Sequence, residues 1–350
     1  MKLLNILFTL FGVVTVIFFL FQILPGDPAR MMMDQNEDVK QLEIIKKKYG
    51  FNEPIFKQYL YYLNDLSIIS IHSKNPEKIN FLNENKYSYT KILNFKNSTL
   101  VLKFPYLRES YQRRGVKVST IILNTFPNTV ILAISSILFA TIFGLFLGII
   151  SALYKGTFFD NSIQLFSTFG MSMPSFLSSI IFAWIFGFVL ADFTGLNMTG
   201  SLFELDDFGE NYKLELKNLI LPSIVLGIRP IAVISMMMRN SLIETLKKNY
   251  VITAYAKGLT KSKVILNHCI KNSFNPVVTA LSGWFASLLA GSVFVEYIFG
   301  WNGLGREIVN SLNLLDVPVI IGAVIVVSFS FIMINIFVDY IYKLLDPRIN

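Results

Sequence analysis

The residues able to do chemistry are few and stand apart. His72 and His268 are isolated, Cys269 is the single cysteine, and no paired histidines, CxxC or carboxylate cluster offers a metal site. One cysteine permits no intrachain disulfide. No GxxxxGK[ST] stretch is present, so ATP hydrolysis is not expected of this chain, and no nucleophile constellation replaces it. Charge is concentrated instead in one short stretch. Seven Lys/Arg and a single acid, Glu244, lie between Arg239 and Lys271. A short loop this basic between apolar runs faces the cytoplasm. Its core is NYVITAYAKGLTKSKVILNHCIKNSFNP, Asn249 to Pro276. Tyr250 to Lys257 has helical composition, and Gly258 can end that helix because glycine tolerates the left-handed C-terminal cap. Lys261 to Ile270 is a second helix candidate, and Pro276 opens the next apolar run. This predicts helix, glycine turn, helix at the membrane surface. Charge alone explains such a loop as a topology determinant. Three polar residues fall within apolar stretches. Arg229 is costly in lipid and should face protein, water or a headgroup. Asn335 and Asp339, one helical turn apart, could relay a proton or pack together near the membrane boundary.

The elements that position these residues are membrane spans. Of the 350 residues, 53% are hydrophobic, and several runs reach the roughly 20 apolar residues that cross a bilayer. The net charge of +8 is spread over loops and does not indicate nucleic-acid binding. Leu3 to Leu24 reads as a retained first span, since no small-residue cleavage site follows it. Pro25, Gly26 and Pro28 stop it. Met31 to Lys117 is polar, with fifteen basic and nine acidic residues. Asp38 to Leu66 has helical composition, and short strands are expected around Ser98 to Phe104. The basic excess does not force this segment inside, because the positive-inside rule weakens for loops beyond about 60 residues. Ser119 to Leu153 carries the second span. Pro127 is expected in its first turn, with Asn124 or Thr125 as cap, and Gly144 and Gly148 form a GxxxG for close helix approach. Asn161 to Leu190 is the third span, kinked at Pro174. An acidic loop, Ala191 to Lys217, leads to the fourth span, Asn218 to Met238. Val277 to Val295 is the fifth. Asp316, Val317 and Pro318 open the last, which ends near Leu345.

Several separately placed stretches share one resemblance. TAYAKGL followed by HCIKNSFNPVVT resembles the EAA-type loop of ABC importer membrane subunits, with Ala254, Ala256 and Gly258 at the motif core and no motif Glu before them. LPGDPA after the first span, the MPSF-like Met173 to Phe176, Glu296 to Gly305 (similar to VExxFxxxGLG, with Asn302 where relatives have Pro) and the LDPR ending are similar to the same group. That group is the oligopeptide/dipeptide permease branch, the OppB/DppB-like proteins.

The resemblance implies an all-α polytopic membrane protein with six transmembrane helices in the type I ABC importer (MetI-like) permease fold. It implies an extracytoplasmic α+β insertion after the first helix. The division expected is 1–30 for the first helix, 31–117 for the extracytoplasmic subdomain and 118–350 for the permease core, with a coupling loop at 239–275. In the family this loop docks into a groove on the ATPase, which assigns Tyr250, Ala254, Ala256, Lys257, Gly258, Leu259, His268, Asn272 and Pro276 to it. Pro174, Arg229, Glu296 and Asp316 are the pathway or kink candidates. The expected partners are a second homologous permease, two ATPases, an extracytoplasmic solute-binding protein and the lipid membrane, without nucleic acid. No cofactor or metal is implied. The localisation is the bacterial cytoplasmic membrane, multi-pass, with both termini cytoplasmic. The cargo would be oligopeptides or dipeptides. A same-branch importer of nickel or another small solute is the alternative, as is a self-contained secondary transporter.

Overall fold

The computed structural model describes residues 2–23, 27–33, 39–84, 86–206 and 209–345. In chain order, α1 (Lys2–Ile23) is followed by α2 (Pro28–Met31), α3 (Val39–Tyr49) and α4 (Ile55–Leu66). Three strands come next, β1 (Ile69–Ser73), β2 (Tyr89–Asn94) and β3 (Ser98–Lys103). Then come α5 (Val118–Leu153), α6 (Phe158–Ser172), α7 (Ser175–Trp184) running into a π-helical turn at Ile185–Val189, and α8 (Ala191–Thr194). A hairpin of β4 (Phe203–Leu205) and β5 (Tyr212–Leu214) precedes α9 (Lys217–Thr245). The basic stretch forms α10 (Asn249–Ala256), α11 (Lys261–Val264), a π-helical turn at Ile265–Ile270 and α12 (Lys271–Ser273). Finally come α13 (Asn275–Gly291), α14 (Val293–Phe299), α15 (Leu304–Asn313) and α16 (Val317–Leu345).

The apolar runs account for the architecture. Among the described residues, three helices are long and apolar enough to cross a membrane, α5, α9 and, over Val317–Val338, α16. Two bent pairs pass the same test jointly, Phe158–Ser172 with Ser175–Val189 and Lys261–Ser273 with Asn275–Gly291. The first helix adds a shorter apolar run, Phe8–Gln22. Among the described residues, length and composition thus give three spans, or up to five if each bent pair is one, with the shorter apolar run of α1 in addition, where six were expected.

Local details depart from expectation. Pro127 lies inside α5, not in its first turn. The helix begins at Val118 because Val118, Ile121 and Ile122 are buried along one stripe, and that packing outweighs the lost hydrogen bond at the proline. At Pro174 the chain does more than kink. Met173 ends one helix in an extended conformation, Pro174 begins the next, and the two diverge by 108°. The acidic loop contains the β4–β5 hairpin, which its charge concealed.

The chain divides into two compact units, Met1–Asn124 with Ile308–Ser328, and Thr125–Glu307 with Phe329–Asn350. The division groups α1 and the start of α16 with the polar insertion. In this first unit β3 is central in an antiparallel sheet ordered β1-β3-β2, and it lies where the sequence suggested a strand. Packing here turns on Asp65. Its carboxylate accepts from Arg108 Nε at 2.8 Å and from the Tyr87 hydroxyl at 2.8 Å. Its backbone carbonyl accepts from Tyr106 N at 2.9 Å and from Lys103 Nζ. Burial lowers the Lys103 ammonium to about 8. Among the described residues, the second unit has an apolar core around Leu132, Leu221, Phe299 and Trp301 and another around Ala140, Met238, Leu242, Val251 and Val277.

Candidate coupling site

The basic stretch folds as its sequence predicts, and the backbone explains why. Gly258 has φ +81, the left-handed region that a side chain disfavours. Its N–H donates to Tyr255 O at 2.9 Å, and Leu259 N donates to Ala254 O at 3.3 Å. This double bond pattern is the Schellman stop, with glycine one residue past the cap. Leu259 then packs into the same apolar core as Ala254. Nothing lies within 4 Å of where a Gly258 side chain would project, so the turn stands clear of the rest of the chain.

The two short helices rest on the core by small or branched residues. Val251, Val264 and Cys269 are fully buried, and Ala254 nearly so. They pack with Met238 and Leu242 of α9 and Val277 of α13. Ala254 sits where a small residue is needed, whereas Ala256 and Lys257 are exposed. Tyr250 and Asn272 hold the ends of the loop together, with Asn272 Nδ2 donating to the Tyr250 hydroxyl at 3.0 Å and to His268 O at 2.8 Å. His268 is half-buried, and Pro276 takes an early position of α13, where its missing N–H breaks no helical bond. The opposite face is open. Ile252 is 59% exposed, Tyr255 41% and Leu266 64%, beside exposed Lys257, Lys261 and Lys263. Ile252, Tyr255 and Leu266 were absent from the sequence-derived set. Their signal was apolar residues at helical spacing inside a charged segment, away from any span.

The support beneath the loop includes a second feature that sequence reading missed. Asp160, 1% exposed, accepts from Arg239 Nε and Nη2, each at 2.7 Å. It also accepts from Ser151 Oγ at 2.5 Å, Gly156 N at 2.8 Å and Gln164 Nε2 at 3.0 Å. Slightly along the same helices, α5 meets α9 through its small residues. A side chain on Gly148 would sit 2.6 Å from Ser235 O, so the GxxxG serves close approach as expected.

The other candidates are dispersed. Arg229 is exposed on α9, with Pro230 and Gly227 buried beside it. Glu296 and Asp316, among the pathway or kink candidates, are buried, and each carboxylate accepts from donors of its own unit. Glu296 accepts from Ser292 Oγ at 2.8 Å, Gly305 N at 2.6 Å and Arg306 N at 3.2 Å. Asp316 accepts from Tyr111 N at 3.0 Å and from Ser110 Oγ, tying the insertion to the start of α16. Asn335 donates to Phe331 O at 3.0 Å. The Asp339 side chain, Leu24 to Gly26 and Asp346 to Arg348 lie outside the described residues.

Apolar helices in this number, a broken span and a basic surface loop define a multi-pass membrane protein. The comparisons sharpen that class. The family described as "Binding-protein-dependent transport system inner membrane component" matches residues 144–350, and the N-terminal part of the same kind of membrane component matches residues 1–77. The chain belongs to this family of binding-protein-dependent transport system inner membrane components. Among its relatives are the di/tripeptide transport system permease protein DppB of Pseudomonas aeruginosa (strain UCBPP-PA14), 30% identical over 98% of this chain and 95% of that one. The dipeptide transport system permease protein DppB of Alkalihalophilus pseudofirmus is 30% identical over 100% and 98%. The glutathione transport system permease protein GsiC of Escherichia coli (strain K12) is 30% identical over 100% and 97%. A solved structure of the MetNI methionine ABC transporter in inward-facing conformations covers 65% of this chain and 97% of its own, with 14% identity and a TM-score of 0.52. That likeness concerns the fold, which is MetI-like. As a permease subunit, the chain works with a separate ATPase and a solute-binding protein and is not itself an enzyme.

Proposed function

We propose that this permease imports short peptides and that Asn249 to Pro276 is where ATP hydrolysis reaches it. The cargo reading rests on the relatives, whose names specify dipeptides, di/tripeptides and glutathione. The coupling reading rests on one observation. A helix pair turned by Gly258 is anchored on α9 and α13 by its buried face and leaves an apolar and basic face uncovered. Lys261, Lys263 and Lys271 keep α11 and α12 at the membrane surface, although they lead directly into α13. Both termini are cytoplasmic in this reading, and the insertion between α1 and α5 is extracytoplasmic. The chain pairs with a second, homologous permease around a shared pathway, and each contributes one loop to one of two ATPases. Closure of the ATPases then brings the two loops together and opens the pathway outward, where the solute-binding protein releases its cargo.

Detergent purification of the tagged chain from its native membrane, with mass spectrometry of what accompanies it, tests the assembly. The expected result is a second permease, ATPase subunits and a solute-binding protein carrying a peptide. A stable lone chain or homodimer without ATPase contradicts it, and a binding protein loaded with nickel contradicts the peptide cargo.

A further inference from the structure

Four segments converge on one buried carboxylate. Ser151 comes from the end of α5, Gly156 from the following turn, Gln164 from α6 and Arg239 from α9, and all donate to Asp160. The Arg239 contact is bidentate, the geometry that adds directional specificity to an ion pair. Apolar helix faces resist separation but tolerate sliding. A two-point guanidinium–carboxylate contact resists both, since a shift along the axis breaks at least one bond. Burial of such a pair is weak evidence for stability, and fixing register is its best-attested use.

Its place in the chain gives that register a purpose. Arg239 stands on the last two turns of α9, just before α10. Leu242, one turn further on, is fully buried and packs in the same core as Val251 and Ala254 of the loop. One turn before Arg239, the Ser235 carbonyl approaches α5 so closely that a side chain on Gly148 would sit 2.6 Å from it. The loop, the end of α9 and the α5–α6 turn are therefore joined in series.

We propose that the Asp160–Arg239 pair is a positioning device for transport: it holds the α5–α6 turn in register with α9, so that displacement of the loop 249–276 moves α5 and α6 as well. The proposal rests on the reading of that loop as the ATPase contact.

The test uses the complete transporter with its partner subunits and loaded binding protein in vesicles. Uptake and ATP hydrolysis are both measured per assembled complex. Arg239→Gln is expected to leave hydrolysis running while uptake per ATP falls by about tenfold, the scale of an inter-site coupling free energy. Arg239→Lys keeps the charge but not the fork, and should fall between parent and Arg239→Gln. Uptake per ATP equal to the parent in Arg239→Gln overturns the proposal, even if less complex is recovered, because a stabilising role alone lowers yield and not the ratio. If Arg239→Gln does not assemble, Arg239→Lys decides, with a lowered ratio in support and an unchanged ratio against. Gly258→Asp is run in parallel. Should it leave uptake per ATP intact, the loop reading itself fails. Should it uncouple while Arg239→Gln does not, only the positioning role fails.

Discussion

In the loop from Asn249 to Pro276 the buried side chains are Val251, Ala254, Val264, Ile265, Cys269 and Ser273. In the insertion they include Asp65, Ser70, His72, Thr99, Lys103 and Ser110 beside Tyr62, Tyr87 and Tyr106. The loop is held by small apolar contacts with the helices beneath it and by backbone caps, so one face stays free. The insertion closes around a carboxylate, and its cations lie against aromatic rings. Arg108 stands 4.8 Å from the Tyr62 ring, Lys103 5.3 Å from Tyr87, and Lys86 5.4 Å from Tyr106. The proposed ATPase contact calls for such an anchored back and open front. A polar extension with few apolar residues to bury gains its order from directional bonds.

Changes of backbone should therefore dominate in the loop, and changes of charge in the insertion. Gly258→Asp is expected to have the largest functional effect. Its side chain meets no neighbour, yet the left-handed φ strains it and a negative charge enters a basic face. Uptake should fall by about tenfold or more, with ATPase still recovered alongside the chain. Near-parent uptake would show that the turn is not where coupling passes.

Asp65→Asn is expected to act on the insertion and leave the loop intact. It deprives Arg108 of its buried partner, a loss of about 3–5 kcal/mol where one member of such a pair is removed. Hydrogen exchange across β1 to β3 should accelerate, while α10 and α11 keep their protection. Val251→Ala is the reciprocal test, costing about 1–3 kcal/mol of local packing under the loop with β1 to β3 unchanged.

A smaller contrast is expected with pH. The His72 ring is fully buried, its Nε2 meets Ser70 Oγ at 3.0 Å and its Nδ1 meets Asn80 O at 3.2 Å. Burial, then the charge of Lys103, lowers its affinity for a proton in the folded insertion. The unfolded segment therefore binds the proton first as pH falls below about 6.5, and the insertion loses stability in that range. Lys103 works in the same direction at higher pH. Held at about 8 when folded, it binds fewer protons than the unfolded chain up to about 10.5, so stability rises across that interval. Protection factors in β1 to β3, with exchange taken relative to the intrinsic rate at each pH, should therefore rise from pH 5.5 to 7.5, and His72→Asn should flatten the trend.

What the sequence disclosed follows the same divide. The spans, the loop helices and the role of Gly258 were legible because each is a local pattern: an apolar run, a helical composition, a glycine after a helix. β3 was legible from its short run of β-branched and apolar residues. The Asp160–Arg239 pair joins residues 79 apart in sequence, and Arg239 read only as one of seven loop cations. Asp65 and Arg108 are 43 apart, and no local pattern links them. The 108° break at Pro174 was read as a kink, because a proline signals a bend without fixing its angle. Glu296 and Asp316 drew attention as acids beside spans; the backbone donor Tyr111 reaches Asp316 from 205 residues away, while those of Glu296 lie nine and ten residues on.

The most direct test of the proposed ATPase contact is site-directed cross-linking in the assembled transporter. Cysteines placed at Tyr255 and at Lys257, both exposed, would be compared with native Cys269, which is fully buried. The expected result is that Tyr255→Cys and Lys257→Cys cross-link to an ATPase subunit, with a yield that changes when ATP is bound, while Cys269 does not react. Recovery of the ATPase in the same preparation without a cross-link at either position, in any nucleotide state, would contradict the account.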